Sequence, residues 1–156
     1  MAEATRLLSP DAVRLGCTAV DRFDAVRQAG DLLVGLGAVA PGYADAMQER
    51  EISLSSYVGE GVAIPHGTDA ARALVHHGAL AFLQFPDGVD WDGEDVRACV
   101  AIAASADEHM GVMSRLALVL LEPAQAEELR TTTDPTRVLA LLDPPATDPV
   151  QQTGSP

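Results

Sequence analysis

Two short apolar runs place the strongest limit on how this chain can fold. Residues 78–85 read GALAFLQF, and residues 96–104 read VRACVAIAA. Each run has the length of a strand, and neither alternates polar with apolar residues as a half-exposed strand does. Both are therefore predicted to be strands buried on both faces, which requires helices packed on each side of the sheet.

The remaining periodicity supplies those helices. Residues 21–36 carry apolar side chains at helical spacing, and Gly37 follows as the expected C-cap. Asp107 is the predicted N-cap of a helix that runs to residue 121, with an inner face formed by Met110, Met113, Leu116, Ala117 and Leu120. Residues 86–88, Pro-Asp-Gly, are the predicted turn after the 78–85 strand. The other predicted helices span residues 43–51, 123–130 and 135–142, with one more from residue 68 or 69 to 76, and a further short strand spans 62–64.

Helices that alternate with buried strands predict an α/β fold in a single domain over residues 1–143. The expected sheet is mixed and mostly parallel, with helices on both faces. In such sheets, ligands and chemistry collect at the carboxyl ends of strands. Residues 144–156 lack apolar periodicity and are predicted to be a disordered tail.

Charge and composition exclude several classes of function. The formal net charge is −13 and all ten basic residues are arginines, so nucleic acid and anionic membranes are poor partners and a basic protein is a better one. Cys17 and Cys99 have no metal-type spacing. A secretory signal is not evident, and no apolar run approaches the ~20 residues of a membrane span, so we expect a cytoplasmic protein without membrane insertion.

The stretch GEGVAIPHGT, residues 59–68, presents His66 at the carboxyl end of the predicted 62–64 strand. Pro65 has no N–H and ends the ladder, while Gly67 leaves space for a bulky group to approach the imidazole. The amides of a helix that starts at Thr68 would favour a nearby anion. The alternative is a turn histidine that serves only local hydrogen bonds.

Two further residues are candidates for the same site. His109 follows the 96–104 strand, so the two histidines converge if their strands are neighbours. Arg50 ends the helix before the His66 loop, and its guanidinium can bind phosphoryl oxygens in bidentate fashion. Taken singly, His109 also fits a solvent contact, and Arg50 a partner for Glu51 or for the helix C-terminus.

His76 and His77 are expected to be surface residues at a helix end. A zinc site built from the histidines is possible, but no H-x-x-x-H pattern or nearby cysteine supports it. We therefore predict no metal and no cofactor.

The run EISLSSYVGEGVAIPHG, residues 51–67, resembles the phosphorylation-site motif of mannitol/fructose-type enzyme IIA domains. These domains belong to the bacterial phosphoenolpyruvate-dependent sugar phosphotransferase system. The pair Arg50-Glu51 and the sequences DEH at 107–109 and SRLA at 114–117 are also typical. The similarity covers about residues 7–142 and is greatest to the mannitol branch.

The resemblance implies a phosphotransferase that carries a phosphoryl group. His66 would accept it on Nε2 from the phosphocarrier protein HPr and pass it to an enzyme IIB on a separate chain, for mannitol-type sugar uptake. His109 and Arg50 would stabilise the transferring group. Ile64 and Met110 are suggested as the docking centre. The alternative is a regulatory protein of the nitrogen-related branch, whose phosphorylation state controls other proteins.

Overall fold

The computed structural model describes residues 7–143, so the predicted tail at 144–156 lies outside the described residues. The predicted domain bounds, 1–143, also stay a prediction. The α-helices are α1 Arg22–Gly35, α2 Gly42–Ser53, α3 Ala106–Leu120, α4 Pro123–Thr131 and α5 Pro135–Leu142. The strands are β1 Val13–Arg14, β2 Tyr57–Gly59, β3 Val62–Ala63, β4 Ala79–Trp91 and β5 Glu94–Ala103, and short 3₁₀-helices span Pro10–Ala12 and Asp69–Leu74.

The strands form one five-stranded sheet in the order β1-β4-β5-β3-β2. The β1–β4 and β3–β5 pairings are parallel, and the β4–β5 and β2–β3 pairings are antiparallel. The predicted class, a mixed α/β sheet with helices, is confirmed. The two buried apolar runs become β4 and β5, which lie inside the sheet with a neighbouring strand on each side.

Alternate side chains of β4 contact helices on opposite faces of the sheet. The Gln84 amide donates to the carbonyl oxygens of Leu129 at 3.2 Å and Thr132 at 2.9 Å, both at the end of α4. The neighbouring Leu83 instead lines a cleft with Leu32 of α1. Since successive side chains of a strand point to opposite faces, α1 and α4 cover the two sides.

The predicted turn at Pro86-Asp87-Gly88 is wrong, because these residues lie inside β4. The β4–β5 register shifts between Gln84 and Val89, so the segment is an irregularity within the strand. The chain reverses at Asp92 and Gly93, both with positive φ (56° and 95°). An Asp-Gly pair suits a two-residue hairpin turn, since it tolerates positive φ at both positions.

Other local differences concern helix ends and faces. The helix predicted from residue 68 or 69 to 76 is a 3₁₀-helix over Asp69–Leu74. The N-cap of α3 is Ser105 rather than Asp107, because Ser105 and Glu108 form a reciprocal capping box. Of the residues predicted on the inner face of α3, Leu116 is buried and Met113 and Leu120 are partly buried, whereas Met110 and Ala117 are exposed. The buried face is formed by Val112, Leu116 and Val119.

Between residues 7 and 143, no helix has both the length and the apolarity that crossing a membrane requires.

A buried carboxylate joins the end of α2 to the hairpin. Glu51 is 2% exposed and accepts hydrogen bonds from the Ser56 hydroxyl at 2.6 Å and the Trp91 indole N–H at 2.9 Å. The Ser56 backbone N–H also donates to it at 3.2 Å, and the Arg22 guanidinium lies 3.8 Å away. A buried carboxylate is tolerated only when hydrogen-bonded and paired. Glu51 therefore holds the chain that follows Arg50 in a fixed path.

We expect Ser56→Ala to lower the free energy of unfolding by about 1–3 kcal/mol, because a buried carboxylate oxygen loses its short hydroxyl donor. Urea unfolding followed by Trp91 fluorescence measures this change. The matched control is Ser53→Ala, since the exposed Ser53 hydroxyl bonds only the Glu49 carbonyl at 3.3 Å. Equal stability of the two variants would contradict a role for Glu51 as a structural anchor.

Candidate active site

The two candidate histidines meet at the carboxyl ends of neighbouring parallel strands. Strand β3 pairs with β5 through Val62↔Ala98 and Ala63↔Cys99, and the chain beyond β3 brings His66 opposite Ile102 in a parallel bridge. Beyond β5, the first turn of α3 carries His109. The ring centroids of His66 and His109 lie 5.2 Å apart, with the planes inclined by 57°.

The hydrogen bond of His66 fixes which ring nitrogen is available. Its Nδ1 lies 2.9 Å from the Ile64 carbonyl oxygen. A carbonyl oxygen can only accept, so Nδ1 carries the proton and the neutral ring has its lone pair on Nε2. His66 is partly buried, so the ring is neither walled inside the core nor free in solvent. Such a ring can act as a nucleophile through Nε2 without first losing a proton.

The residues on either side of His66 are held by buried contacts. The Pro65 carbonyl accepts from the Ile102 N–H at 3.0 Å, and the Gly67 N–H donates to the Tyr43 hydroxyl at 3.0 Å. A Cβ at Gly67 would lie 2.7 Å from the Tyr43 ring. The space that Gly67 leaves is therefore filled by Tyr43 and not by a group that approaches the imidazole.

Arg50 lies in the last turn of α2, where Nη1 donates to the Leu54 carbonyl oxygen at 2.8 Å. The sequence left open a helix-terminal role for Arg50, and this contact is of that kind. Its positive charge also acts on His66 and contributes to lowering the pKa of that ring. A guanidinium has five N–H donors, so the Leu54 bond leaves others for an incoming anion.

Arg72 is a second cation near the site that sequence reasoning missed. It lies in the 3₁₀-helix after the His66 loop and pairs with the exposed Asp69 at 3.4 Å. Its charge helps to lower the pKa of both His66 and His109. An arginine six residues beyond the histidine has no distinctive sequence neighbours, so only the path of the loop reveals it.

Burial is the main cause that lowers the pKa of both histidines below their ordinary value, and nearby positive charges add to it. Both rings are therefore neutral near pH 7, because the ordinary pKa is already about 6.5. Between that value and the lowered pKa, the unfolded chain binds more protons than the folded one. The stability that the neutral rings contribute is present above about pH 6.5 and is lost as the pH falls through this window.

His76 and His77 do not join the histidine pair. Both are exposed and line a polar cleft of about 620 Å³ with Arg72 and Ser105. Within residues 7–143, histidine, cysteine and carboxylate side chains form no group of three or more arranged to hold a metal ion.

Exposed apolar side chains flank the site, although not all those expected. Met110, beside His109, is 69% exposed, whereas Ile64 is only 4% exposed because it follows β3 into the core. Ile64 is therefore wrong as a docking residue. Near Arg50, Ile52 and Leu54 are 70% and 63% exposed and were not expected.

Comparison with known proteins gives a family match over most of the chain. Residues 6–144 match the family described as phosphoenolpyruvate-dependent sugar phosphotransferase system, EIIA 2. The mannitol-specific phosphotransferase enzyme IIA component of Halalkalibacterium halodurans is 39% identical over 136 residues, which cover 87% of this chain and 94% of that protein.

A longer relative and a solved structure are also similar to this chain over most of its length. The multiphosphoryl transfer protein of Xanthomonas campestris is 46% identical over 86% of this chain, and the chain spans only 16% of that protein. Enzyme IIAMTL in a complex with phosphorylated enzyme IIBMTL from Escherichia coli is 36% identical and superposes with a TM-score of 0.80. The match covers 87% of this chain and 98% of that one.

The two arginines should act differently on the two histidines. We expect Arg50→Gln to raise the pKa of His66, because the Arg50 charge helps to lower it, and to affect His109 only through the charge of His66. Arg72→Gln should raise the pKa of both rings. Titration of the imidazole carbon-bound protons by NMR measures each pKa, and a fall in the pKa of His66 in either variant would contradict the proposed arrangement of charges.

Proposed function

This chain belongs to the enzyme IIA family of the phosphoenolpyruvate-dependent sugar phosphotransferase system, and from that membership we propose that it carries a phosphoryl group on His66. The donor is the phosphohistidine of HPr, and the acceptor is a cysteine of an enzyme IIB. One observation supports this most directly. The imidazoles of His66 and His109, both with lowered pKa, lie 5.2 Å apart, and His66 has its lone pair on Nε2.

In the loading step, Nε2 of His66 attacks the phosphorus of the donor. The phosphorus–nitrogen bond of the donor breaks, and its electron pair returns to the donor imidazole as the bond to Nε2 forms. The phosphorylated His66 ring then carries positive charge, which the Ile64 carbonyl stabilises at Nδ1–H. This charge keeps the ring a good leaving group, so a thiolate of the acceptor can take the phosphoryl group onward.

His109 and Arg50 stabilise the transferring group. Charge spreads over the three phosphoryl oxygens during transfer, so fixed N–H donors contribute much of the catalysis. The His109 ring N–H and the free N–H groups of Arg50 supply such donors from two directions. To reach these oxygens, Arg50 exchanges or shares its bond to the Leu54 carbonyl, which costs little at an exposed helix end.

Mannitol-type uptake is the transport role that the relatives favour. The full-length relative described above is mannitol-specific, and the superposed enzyme IIAMTL is solved with its phosphorylated enzyme IIBMTL. The regulatory alternative is not favoured by these relatives. The −13 net charge suits steering toward a basic partner, with Met110 among the apolar contacts at the centre. The cytoplasmic location stays a prediction.

We expect incubation with phosphoenolpyruvate, enzyme I and HPr to add one phosphate that is stable in alkali and labile in acid. Intact mass and phosphorus NMR detect it, and His66→Ala should abolish it. His109→Ala and Arg50→Ala should remain folded and load more slowly, by about 10- to 1,000-fold, as for loss of a donor to a transition state.

The controls are His76→Ala and His77→Ala, which remove exposed imidazoles outside the histidine pair and should load at the rate of the unmodified chain. Unchanged labelling of His66→Ala would overturn the assignment of the carrier residue. Transfer from the loaded chain to candidate enzyme IIB partners then tests the mannitol role.

A further inference from the structure

Tyr43 connects three parts of the fold at the site. It lies in the first turn of α2, is 3% exposed, and its hydroxyl donates to the Ile102 carbonyl of β5 at 2.8 Å. The same oxygen accepts from the Gly67 N–H at 3.0 Å. Both hydrogen bonds are buried, so water does not compete for either.

The hydroxyl lies where the β3–β5 ladder would form its next rung. Ile102 already donates its N–H to the Pro65 carbonyl, as a parallel ladder requires. In a regular ladder, the Gly67 N–H would then donate to the Ile102 carbonyl. Instead the phenol relays this bond, accepting from Gly67 and donating to Ile102. Pro65 and Gly67, the neighbours of His66, are thus both fixed to Ile102.

We propose that Tyr43 is a positioning residue for phosphoryl transfer, because its hydroxyl sets how far the His66 loop stands from the end of β5. His109 is attached to the same end of β5 through α3. The distance between the two imidazoles therefore depends on the tyrosine relay, as does the bond from Nδ1 to the Ile64 carbonyl. This inference rests on the proposed carrier function of His66.

The hydrogen bonds of Tyr43 support the relay over a role in filling the core. A residue that only fills space needs no polar partner, whereas the Tyr43 hydroxyl has two buried ones. A Cβ at Gly67 would lie 2.7 Å from the Tyr43 ring, so the loop also packs closely on the ring. Burial raises the pKa of Tyr43 above its ordinary value, so the phenol stays protonated and able to donate to Ile102.

The test compares Tyr43→Phe with Tyr57→Phe. Both remove one hydroxyl and keep the ring, and the Tyr57 hydroxyl also accepts from a loop glycine, Gly61, at 3.3 Å. Gly61 lies in the β2–β3 turn, before β3, whereas His66 follows β3. The measurements are the loading rate over a range of phospho-HPr concentrations, the ¹⁵N shifts of the His66 ring, and thermal unfolding by circular dichroism.

In Tyr43→Phe, we expect the maximal loading rate to fall about 10- to 100-fold with little change in the KM for phospho-HPr, as for a small misplacement of a reacting group. The ¹⁵N shifts should change from a single Nδ1–H tautomer to a mixture of both. Tyr57→Phe should retain the rate and the single tautomer. A Tyr43→Phe variant that loads normally with one tautomer, or whose loss of rate follows unfolding at the assay temperature, would overturn the proposal.

The ¹⁵N measurement needs no phosphate, so it tests the relay even if His66 proves not to be the carrier. Gly67→Ala gives a second test, because the new methyl group would displace the Tyr43 ring. We expect this variant to show the same tautomer mixture, and the double variant with Tyr43→Phe to lose no more rate than either single one. Additive losses would show that the two residues act separately and would overturn the relay.

Discussion

The parallel pairing of β3 with β5 is the constraint on which the site depends. Parallel neighbours place their carboxyl ends at the same edge of a sheet, and here one end leads to His66 and the other to His109. Strand β3 is only two residues long, so its pairing alone gives little rigidity. The bridge at Ile102 and the Tyr43 contacts extend the pairing into the loop. The strand pairing thus brings both histidines to one edge of the sheet, and the buried hydrogen bonds fix the position of the His66 loop.

The electrostatics of the site favour a neutral His66 ring. Burial and the charges of Arg50 and Arg72 lower the pKa of His66, whereas the hydrogen bond to the Ile64 carbonyl and the charge of Asp69 raise it. The same arginines that disfavour an extra proton on the ring would favour the negative charge of a phosphoryl group. The two arginines therefore favour both a neutral His66 ring and a bound phosphoryl group, although the chain as a whole is strongly acidic.

Much of this structure could be predicted because its signals are local. The apolar runs of β4 and β5 and the helical spacing of α1 specify their own burial, and a proline and a glycine beside His66 mark a strand end. The missed features depend on distant contacts. No local pattern pairs Tyr43 with Gly67 or places Arg72 near His109, and the exposure of Met110 depends on where α3 packs. The Pro-Asp-Gly segment does not form the predicted turn because β4 accommodates it as an irregularity within the strand, while Asp92-Gly93 makes the turn.

The Asp92-Gly93 turn has a consequence for the order in which the molecule assembles. The β4–β5 ribbon joins neighbours along the chain, so it closes over a short loop, whereas β3 reaches β5 across the intervening β4 segment. We therefore expect the β4–β5 ribbon to form early and the β3–β5 pairing, which brings the two histidines together, to form late. A nascent or partly unfolded chain would then hold most of its sheet before His66 and His109 are brought together.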